Sequence, residues 1–304
     1  MEGPLDVRRS VAEALAAGAP VVALESTVIS HGLPAPLNQE TALALEDIVR
    51  RHDAVPATVG IAGGRAVVGL DEDEIDALAT ASPGQVEKAS RRNMASVLAG
   101  GGLGSTTVAA TMAIARAAGI DLFATGGIGG VHRGDAGDVS ADLIELGRTF
   151  VAVVCSGNKA ILDVPRSYEM LETLGVPVVG FKTGELPAFY TATTGISLDQ
   201  RVDGADGAAR IIAAQAGLPG AGGIVFVNPP PTEVAIDADE LEAMIAAALE
   251  QAMAEGVRGK EVTPYLLDRL AEASGGATVV ANVALLKSNA ETAARIAVAH
   301  AAVR

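Results

Sequence analysis

Short apolar, β-branched runs alternate along the chain with stretches whose apolar positions recur every three to four residues. Val21-Val22-Ala23-Leu24 precedes a helical period over residues 38–52, Thr58-Val59-Gly60-Ile61 precedes one over 72–79, and Leu122-Phe123-Ala124 precedes one over 140–147. Phe150-Val151-Ala152-Val153-Val154 leads to a short helix predicted at 159–162. Residues 176–181 and 223–227 are further apolar strands, and 237–254, 264–273 and 289–303 are predicted helices. This alternation predicts βα units with the sheet between helical layers, because a strand apolar at every position needs cover on both faces. The fold class expected is α/β, a three-layer α/β/α sandwich around a mostly parallel or mixed sheet. The first twenty residues read as an amphipathic helix. Residues 189–202 are the least regular, either a loop over a site or a plain surface connection. No Ser/Gly linker or charge run divides the chain, so residues 1–304 are expected to form one domain.

Composition narrows the partners. With 37 acidic against 22 basic residues the formal charge is −15, which opposes a broad polyanion-binding face and excludes nucleic acid as an expected partner. The lone Cys155 permits no intramolecular disulfide and no cysteine metal cluster, which fits a reducing cytoplasm. Apolar stretches are interrupted well before the roughly 20 residues of a membrane span, and the N-terminus lacks the pattern of a signal peptide. A soluble, cytoplasmic protein with no membrane partner is expected. Eight aromatics against abundant Ala, Val and Gly predict closely packed small side chains.

Several residues could carry chemistry. The Gly-rich turn at 100–107 leads into a helix predicted at 108–118, where free backbone N–H groups would suit a phosphate or serve a Ser/Thr-capped turn. A second Gly-rich run, Thr125-Gly126-Gly127-Ile128-Gly129-Gly130-Val131-His132-Arg133-Gly134, follows the strand ending at Ala124 and permits close backbone approach to a ligand. His132 is the histidine placed nearest such a phosphate. Of only five lysines, Lys159 follows the most apolar strand, where open α/β sheets place ligand sites, and a desolvated amine there would be a nucleophile. Lys88 shares residues 85–93 with Arg91 and Arg92, a pocket for an anion or a solvated surface helix. Glu25 emerges directly from a buried strand. Such a carboxyl is costly unless it is used as an acid-base group or satisfied, for example by a helix N-terminus. Asp138 and Asp142, four apart, would share one face of a helix and suit a hard cation, unless Asp138 is an N-cap.

Several segments together resemble one family: residues 23–32 (Ala-Leu-Glu-Ser-Thr-Val-Ile-Ser-His-Gly), Ser105-Thr106-Thr107-Val108-Ala109, the run at 125–134, Asp138-Val139-Ser140-Ala141-Asp142-Leu143, Lys159-Ala160-Ile161-Leu162-Asp163, Asn228-Pro229-Pro230-Pro231 and Gly259-Lys260-Glu261-Val262-Thr263-Pro264. In order and over about residues 7–298 they are similar to the pseudouridine-5'-phosphate glycosidases, a family that includes the indigoidine synthase A-like proteins. The resemblance implies an α/β/α fold, a homotrimer, a Mn²⁺ requirement and reversible cleavage of pseudouridine 5'-phosphate to uracil and ribose 5-phosphate. It implies Lys159 as Schiff-base nucleophile and Glu25 as proton donor. It further implies substrate contacts at Lys88, Val108, Ser140, Ala141, Asp142, His132 and Asn282, and metal binding at Asp138. The family's sugar-kinase fusion partner has no counterpart in these residues. The loop at 135–137 is shorter than the family's, and Ser156 and Asn158 replace small apolar residues.

The chemistry agrees with this resemblance. A C-glycosidic bond has no heteroatom leaving group to protonate, so two carboxylates alone are poorly suited to it, and covalent help from an amine is called for. Two alternatives remain at this point. Another lysine-dependent sugar-phosphate lyase or aldolase would need no uracil pocket, and a nucleotide-sensing module would have no reason to bring Glu25 and Lys159 together.

Overall fold

The computed structural model describes residues 3–134, 137–257 and 262–304. The chain opens with strand β1 (Leu5–Val7), helix α1 (Arg9–Ala16) and β2 (Val21–Leu24), then a π-helical turn (Val28–Gly32), α2 (Leu37–Arg51), β3 (Val55–Ala62), β4 (Arg65–Val68) and α3 (Glu72–Thr80). It continues through β5 (Val86–Ala89), α4 (Met94–Gly100), β6 (Leu103–Thr106), α5 (Val108–Ala118), β7 (Leu122–Ala124), β8 (Val131–His132), α6 (Ala141–Arg148), β9 (Ala152–Cys155), β10 (Leu162–Asp163) and α7 (Val164–Thr173). The last third holds β11 (Val178–Phe181), β12 (Gln200–Val202), α8 (Ala205–Ala216), β13 (Ile224–Val227), α9 (Ala238–Ala254), α10 (Val262–Ala273) and α11 (Ala277–Ala301).

An 11-stranded sheet runs β1-β4-β3-β2-β7-β9-β13-β11-β12, with β6 and then β5 branching from β3. From β3 to β12 along this path every pairing is parallel, while β4 and β6 lie antiparallel to β3. Side chains alternate strictly between two cores. Val22, Leu24, Ala124, Val154 and Phe226 face α2, α8, α9, α10 and α11, whereas Val21, Ala23, Phe123, Val153 and Val225 face α1, α5, α6 and α7. The period-two pleat of strands apolar at every position thus produces the three-layer α/β/α arrangement expected from the sequence.

Four local expectations are corrected. The N-terminal segment is not one helix: Leu5–Val7 pairs with β4 at the sheet edge before α1 begins. The final helix starts at Ala277 rather than at residue 289. Its first half mixes buried Ala281, Leu285 and Leu286 with the buried polar Thr278 and Asn282 and leaves Val280 exposed, so apolar and polar positions do not divide between two faces there. Residues 159–162 form a turn into β10 rather than a helix, since Lys159 N–H bonds to Ile128 O (3.1 Å) and ties the segment to the Gly-rich run. Residues 86–89 are strand β5 rather than part of a surface helix, paired along their length with β6.

Candidate active site

The C-terminal ends of β2, β7, β9 and β13 open onto one edge of the sheet, and the chemistry-bearing residues follow them directly. Glu25 comes first. The residues behind it lock the junction of β2, β3 and β6: Ser26 Oγ donates to Val59 O (2.7 Å), Thr106 N–H donates to Ser26 Oγ (2.9 Å), and Thr27 Oγ1 donates to Thr106 O (2.7 Å). Glu25 is half-buried between fully buried neighbours, and its Oε1 accepts a hydrogen bond from Thr125 Oγ1 at the end of β7. That hydroxyl, rather than a helix N-terminus, is the hydrogen-bond donor to the carboxyl among the described residues, and it reaches one of its two oxygens. Burial pushes the Glu25 carboxyl above its ordinary value and the charge of Asp142 adds to this, while Lys159, the Thr125 hydroxyl and Lys88 pull it back. The charges of Lys159, Lys88 and Asp142 therefore all act on one carboxyl, although 134 positions separate the two outermost of these residues in sequence (159 − 25).

Lys159 is held by the loop that leaves β9. Gly157 has φ +83°, and a Cβ on it would lie 2.1 Å from Pro187 O, so only glycine lets the chain turn there. Asn158 Nδ2 donates to Gly129 O (3.0 Å), and Ile128 N–H donates to Gly157 O (3.0 Å), which stitches the Lys159 loop to the Gly-rich run. Beneath both lies Asn289 of α11, fully buried. Its Nδ2 donates to Thr125 O (2.9 Å) and Ser156 Oγ (3.1 Å), and its Oδ1 accepts from Asn228 Nδ2 (3.0 Å). One amide thus joins the ends of β7, β9 and β13 to the helix. Residues 189–202 divide: Phe189 N–H donates to Ser156 O (2.7 Å) and its ring covers Gly126 and Gly127, while Gln200–Val202 becomes edge strand β12.

Asp142 is a bracket. Its Oδ1 accepts from Ala109 N–H and its Oδ2 from Gly129 N–H, both at 2.9 Å, so it binds the start of α5 to the Gly-rich run. The helix it belongs to starts at Ala141 with Ser140 as N-cap, Ser140 Oγ accepting from Asp142 N–H (3.2 Å). Asp138 therefore precedes the helix and does not cap it, and the helical Asp138/Asp142 pair expected from spacing does not form. Ala141 opens α6 and Val108 opens α5, so Ser140, Ala141, Asp142 and Val108 stand together at two helix N-termini. Asp142→Asn would turn an amide NH₂ toward one of the two N–H donors. We expect a loss of about 1–3 kcal/mol in stability, read as a lower urea midpoint; an unchanged midpoint would mean the bracket contributes nothing.

Asp138 is half exposed, its carboxylate 3.9 Å from His132 Nδ1 on β8. Among the described residues no group of three or more His, Cys, Asp or Glu side chains could enclose a metal ion. A single accessible carboxylate suits instead a hydrated ion that keeps several waters and shares the site with a phosphate. Asp135 and Ala136 of the loop expected to be shorter than the family's, and Gly259, Lys260 and Glu261, lie outside the described residues.

Lys88 is exposed on β5, and its charge acts on both Glu25 and His31. Burial and this neighbouring charge hold the His31 imidazole below its ordinary value. The expected three-cation cluster is not one pocket, because Arg91 turns to the buried Glu145 (3.2 Å). Asn282 lies two turns before Asn289 on α11, about 10 Å further beyond the strand ends at 1.5 Å per residue. It is nine-tenths buried, and its amide has no hydrogen-bond partner among the described residues. Thr125, Asn289 and Asn228 were not among the candidates read from sequence. For Thr125 and Asn228 the available signal was a polar residue immediately after an apolar strand; Asn289, inside α11, had none.

The comparisons with known proteins agree with this geometry. The profile described as Indigoidine synthase A like protein matches residues 10–299. Two relatives named pseudouridine-5'-phosphate glycosidase are those of Herpetosiphon aurantiacus, 54% identical over 95% of each chain, and Staphylococcus aureus, 46% identical over 97% of this chain and 96% of that one. Among solved structures, the prealnumycin C-glycosynthase AlnA in complex with ribulose 5-phosphate superposes with TM-score 0.92 at 43% identity, covering 100% of this chain and 99% of that one. An indigoidine synthase A-like protein from Thermotoga maritima gives 0.89 at 36% identity over 98% and 97%. The match over residues 10–299 and these full-length relatives establish that the chain belongs to the indigoidine synthase A-like protein family.

Proposed function

We propose that this protein reversibly cleaves the C-glycosidic bond of pseudouridine 5'-phosphate to uracil and ribose 5-phosphate, with Lys159 as Schiff-base nucleophile and Glu25 as proton donor. The observation that carries the reading is the buried Glu25 carboxyl, with the Lys159 charge acting on it, at the C-terminal edge of the parallel strands. The relatives' shared name and the ribulose 5-phosphate bound by the C-glycosynthase support the substrate class. A nucleotide-sensing module has no use for this pairing. A lysine-dependent lyase or aldolase acting on another sugar phosphate would share it, and uracil dependence separates the two.

In this mechanism the Lys159 amine attacks C1' as the C1'–O4' bond breaks, and Glu25 delivers a proton to the departing ring oxygen. Glu25, now a carboxylate, takes a proton from the adduct nitrogen and returns it to uracil C5; the nitrogen lone pair then forms C1'=N, and the C1'–C5 bond pair leaves with the base. Water then hydrolyses the imine, releasing ribose 5-phosphate and the free amine. Lys88 and His132 meet the substrate's anionic end, Val108, Ser140, Ala141 and Asp142 form its backbone-lined wall, and Asn282 offers its unpaired amide to the base. Mn²⁺ held at Asp138, when bound, would orient the substrate and screen the phosphate, which reconciles a −15 protein with an anionic ligand. We expect exhaustive chelation to abolish activity and Mn²⁺ to restore it better than Ca²⁺, since a small oxygen site suits the smaller ion; full activity after chelation would contradict the metal assignment. A homotrimer is proposed as the assembly, to be read from sedimentation equilibrium. Among the described residues no helix is long and apolar enough to cross a membrane. The direct test of function is incubation of the purified protein with pseudouridine 5'-phosphate and Mn²⁺: free uracil and ribose 5-phosphate should appear in equal amounts, and their absence would refute the reading.

A further inference from the structure

The Thr125 hydroxyl donates to Glu25, its one hydrogen-bond partner among the described residues. Thr125 is 1% exposed, and its backbone is fixed at both ends. Its N–H donates to Val154 O on β9 (3.0 Å), and its carbonyl accepts from Asn289 Nδ2 (2.9 Å). The orientation of that amide is itself determined: Asn228 Nδ2 donates to Oδ1, while the carbonyls of Thr125 and Gly126 face Nδ2. A threonine has a single O–H, and the geometry commits it to Glu25 Oε1. Oε2 has no hydrogen-bond partner among the described residues. The two carboxyl oxygens are therefore not equivalent.

Building on the proposed role of Glu25 as proton donor, we propose that Thr125 is a positioning residue. Its hydroxyl donates to Oε1 and thereby assigns the exchangeable proton of Glu25 to Oε2. The charged groups that act on the carboxyl are Lys159 from the loop after β9, Lys88 from β5 and Asp142 from α6; β7 contributes only the neutral hydroxyl. With the hydroxyl donating, Thr125 favours the ionised carboxylate and counters part of the effect of burial. Were the proton on Oε1 and given to Thr125, the same contact would favour the acid. The two arrangements predict opposite effects of removing the hydroxyl.

The sign is measurable without turnover. Glutamate labelled with ¹³C at the carboxyl, with the Glu25 signal assigned by its loss in Glu25→Gln, reports the titration of this one group. Thr125→Val keeps the β-branched shape and removes the hydroxyl; the Glu25 midpoint should rise by about one pH unit, and Thr125→Ser should return it to the wild-type value. The alkaline limb of kcat/KM should move the same way, with kcat about 10-fold lower and KM little changed. Thr125→Ala against Thr125→Ser gives the same comparison should the valine variant fold poorly. An unmoved or lowered Glu25 midpoint overturns the assignment even if the enzyme releases uracil. A raised midpoint in a protein that releases no uracil supports the hydrogen-bond assignment and refutes the reaction instead.

Discussion

Lys159→Ala should lower the rate of uracil release by at least about four orders of magnitude while leaving the protein folded. A methyl group cannot form an imine, and among the described residues no other lysine stands on the loop after β9: Lys182 follows β11, Lys287 is exposed within α11, and Lys88 sits on β5. The fold should tolerate the change because the Lys159 loop is held by backbone and neighbouring groups, through Lys159 N–H to Ile128 O and Asn158 Nδ2 to Gly129 O, not by the ammonium. Circular dichroism and the denaturation midpoint should match wild type. Residual activity within about tenfold of wild type would remove Lys159 from the reaction path.

Glu25→Gln should bind substrate with little change and turn it over about 10²- to 10⁴-fold more slowly. The amide keeps the shape of the carboxyl and can still accept from Thr125, but it cannot give up and recover a proton. Single-turnover rates at saturation, measured apart from affinity, separate the two effects. Weaker binding with an unchanged single-turnover rate would make Glu25 a binding residue. The same variant carries a stability signature. Burial raises the Glu25 carboxyl, so the folded protein keeps its proton to higher pH than the unfolded chain, whose value is near 4.5. The favourable contribution is complete below that value and is lost as pH rises through the folded pKa. The glutamine variant lacks this loss, so its stability relative to wild type should improve as pH rises through that window.

The architecture was legible because it depends on local pattern. Strands apolar at every position, such as Val21–Leu24 and Ala152–Cys155, announce burial on both faces, and the helices between them follow. Glu25 and Lys159 were legible for a related reason, each standing just past such a strand. What the pattern could not supply were contacts between distant parts of the chain. Thr125 meets Glu25 across 100 positions, and Asn289 meets Thr125 across 164. An asparagine in an alanine-rich helix carries no local mark of the three strand ends it joins. Spacing also misled where a helix started later than its pattern: Ser140 caps α6, so Asp138 and Asp142 part company, and both oxygens of Asp142 go to backbone N–H groups. For Lys88 the sequence left an anion pocket and a solvated surface helix open; the residue stands instead on β5, paired with β6, and from there its charge acts on Glu25.

The whole reaction turns on the covalent role of Lys159 opposite Glu25. Its most direct test is borohydride reduction of the protein in the presence of ribose 5-phosphate, followed by peptide mass spectrometry. One reduced pentose phosphate per chain, attached at Lys159 and absent from the Lys159→Ala variant, is the result expected. Attachment at another lysine, or uracil release without any trapped adduct at Lys159, would contradict it.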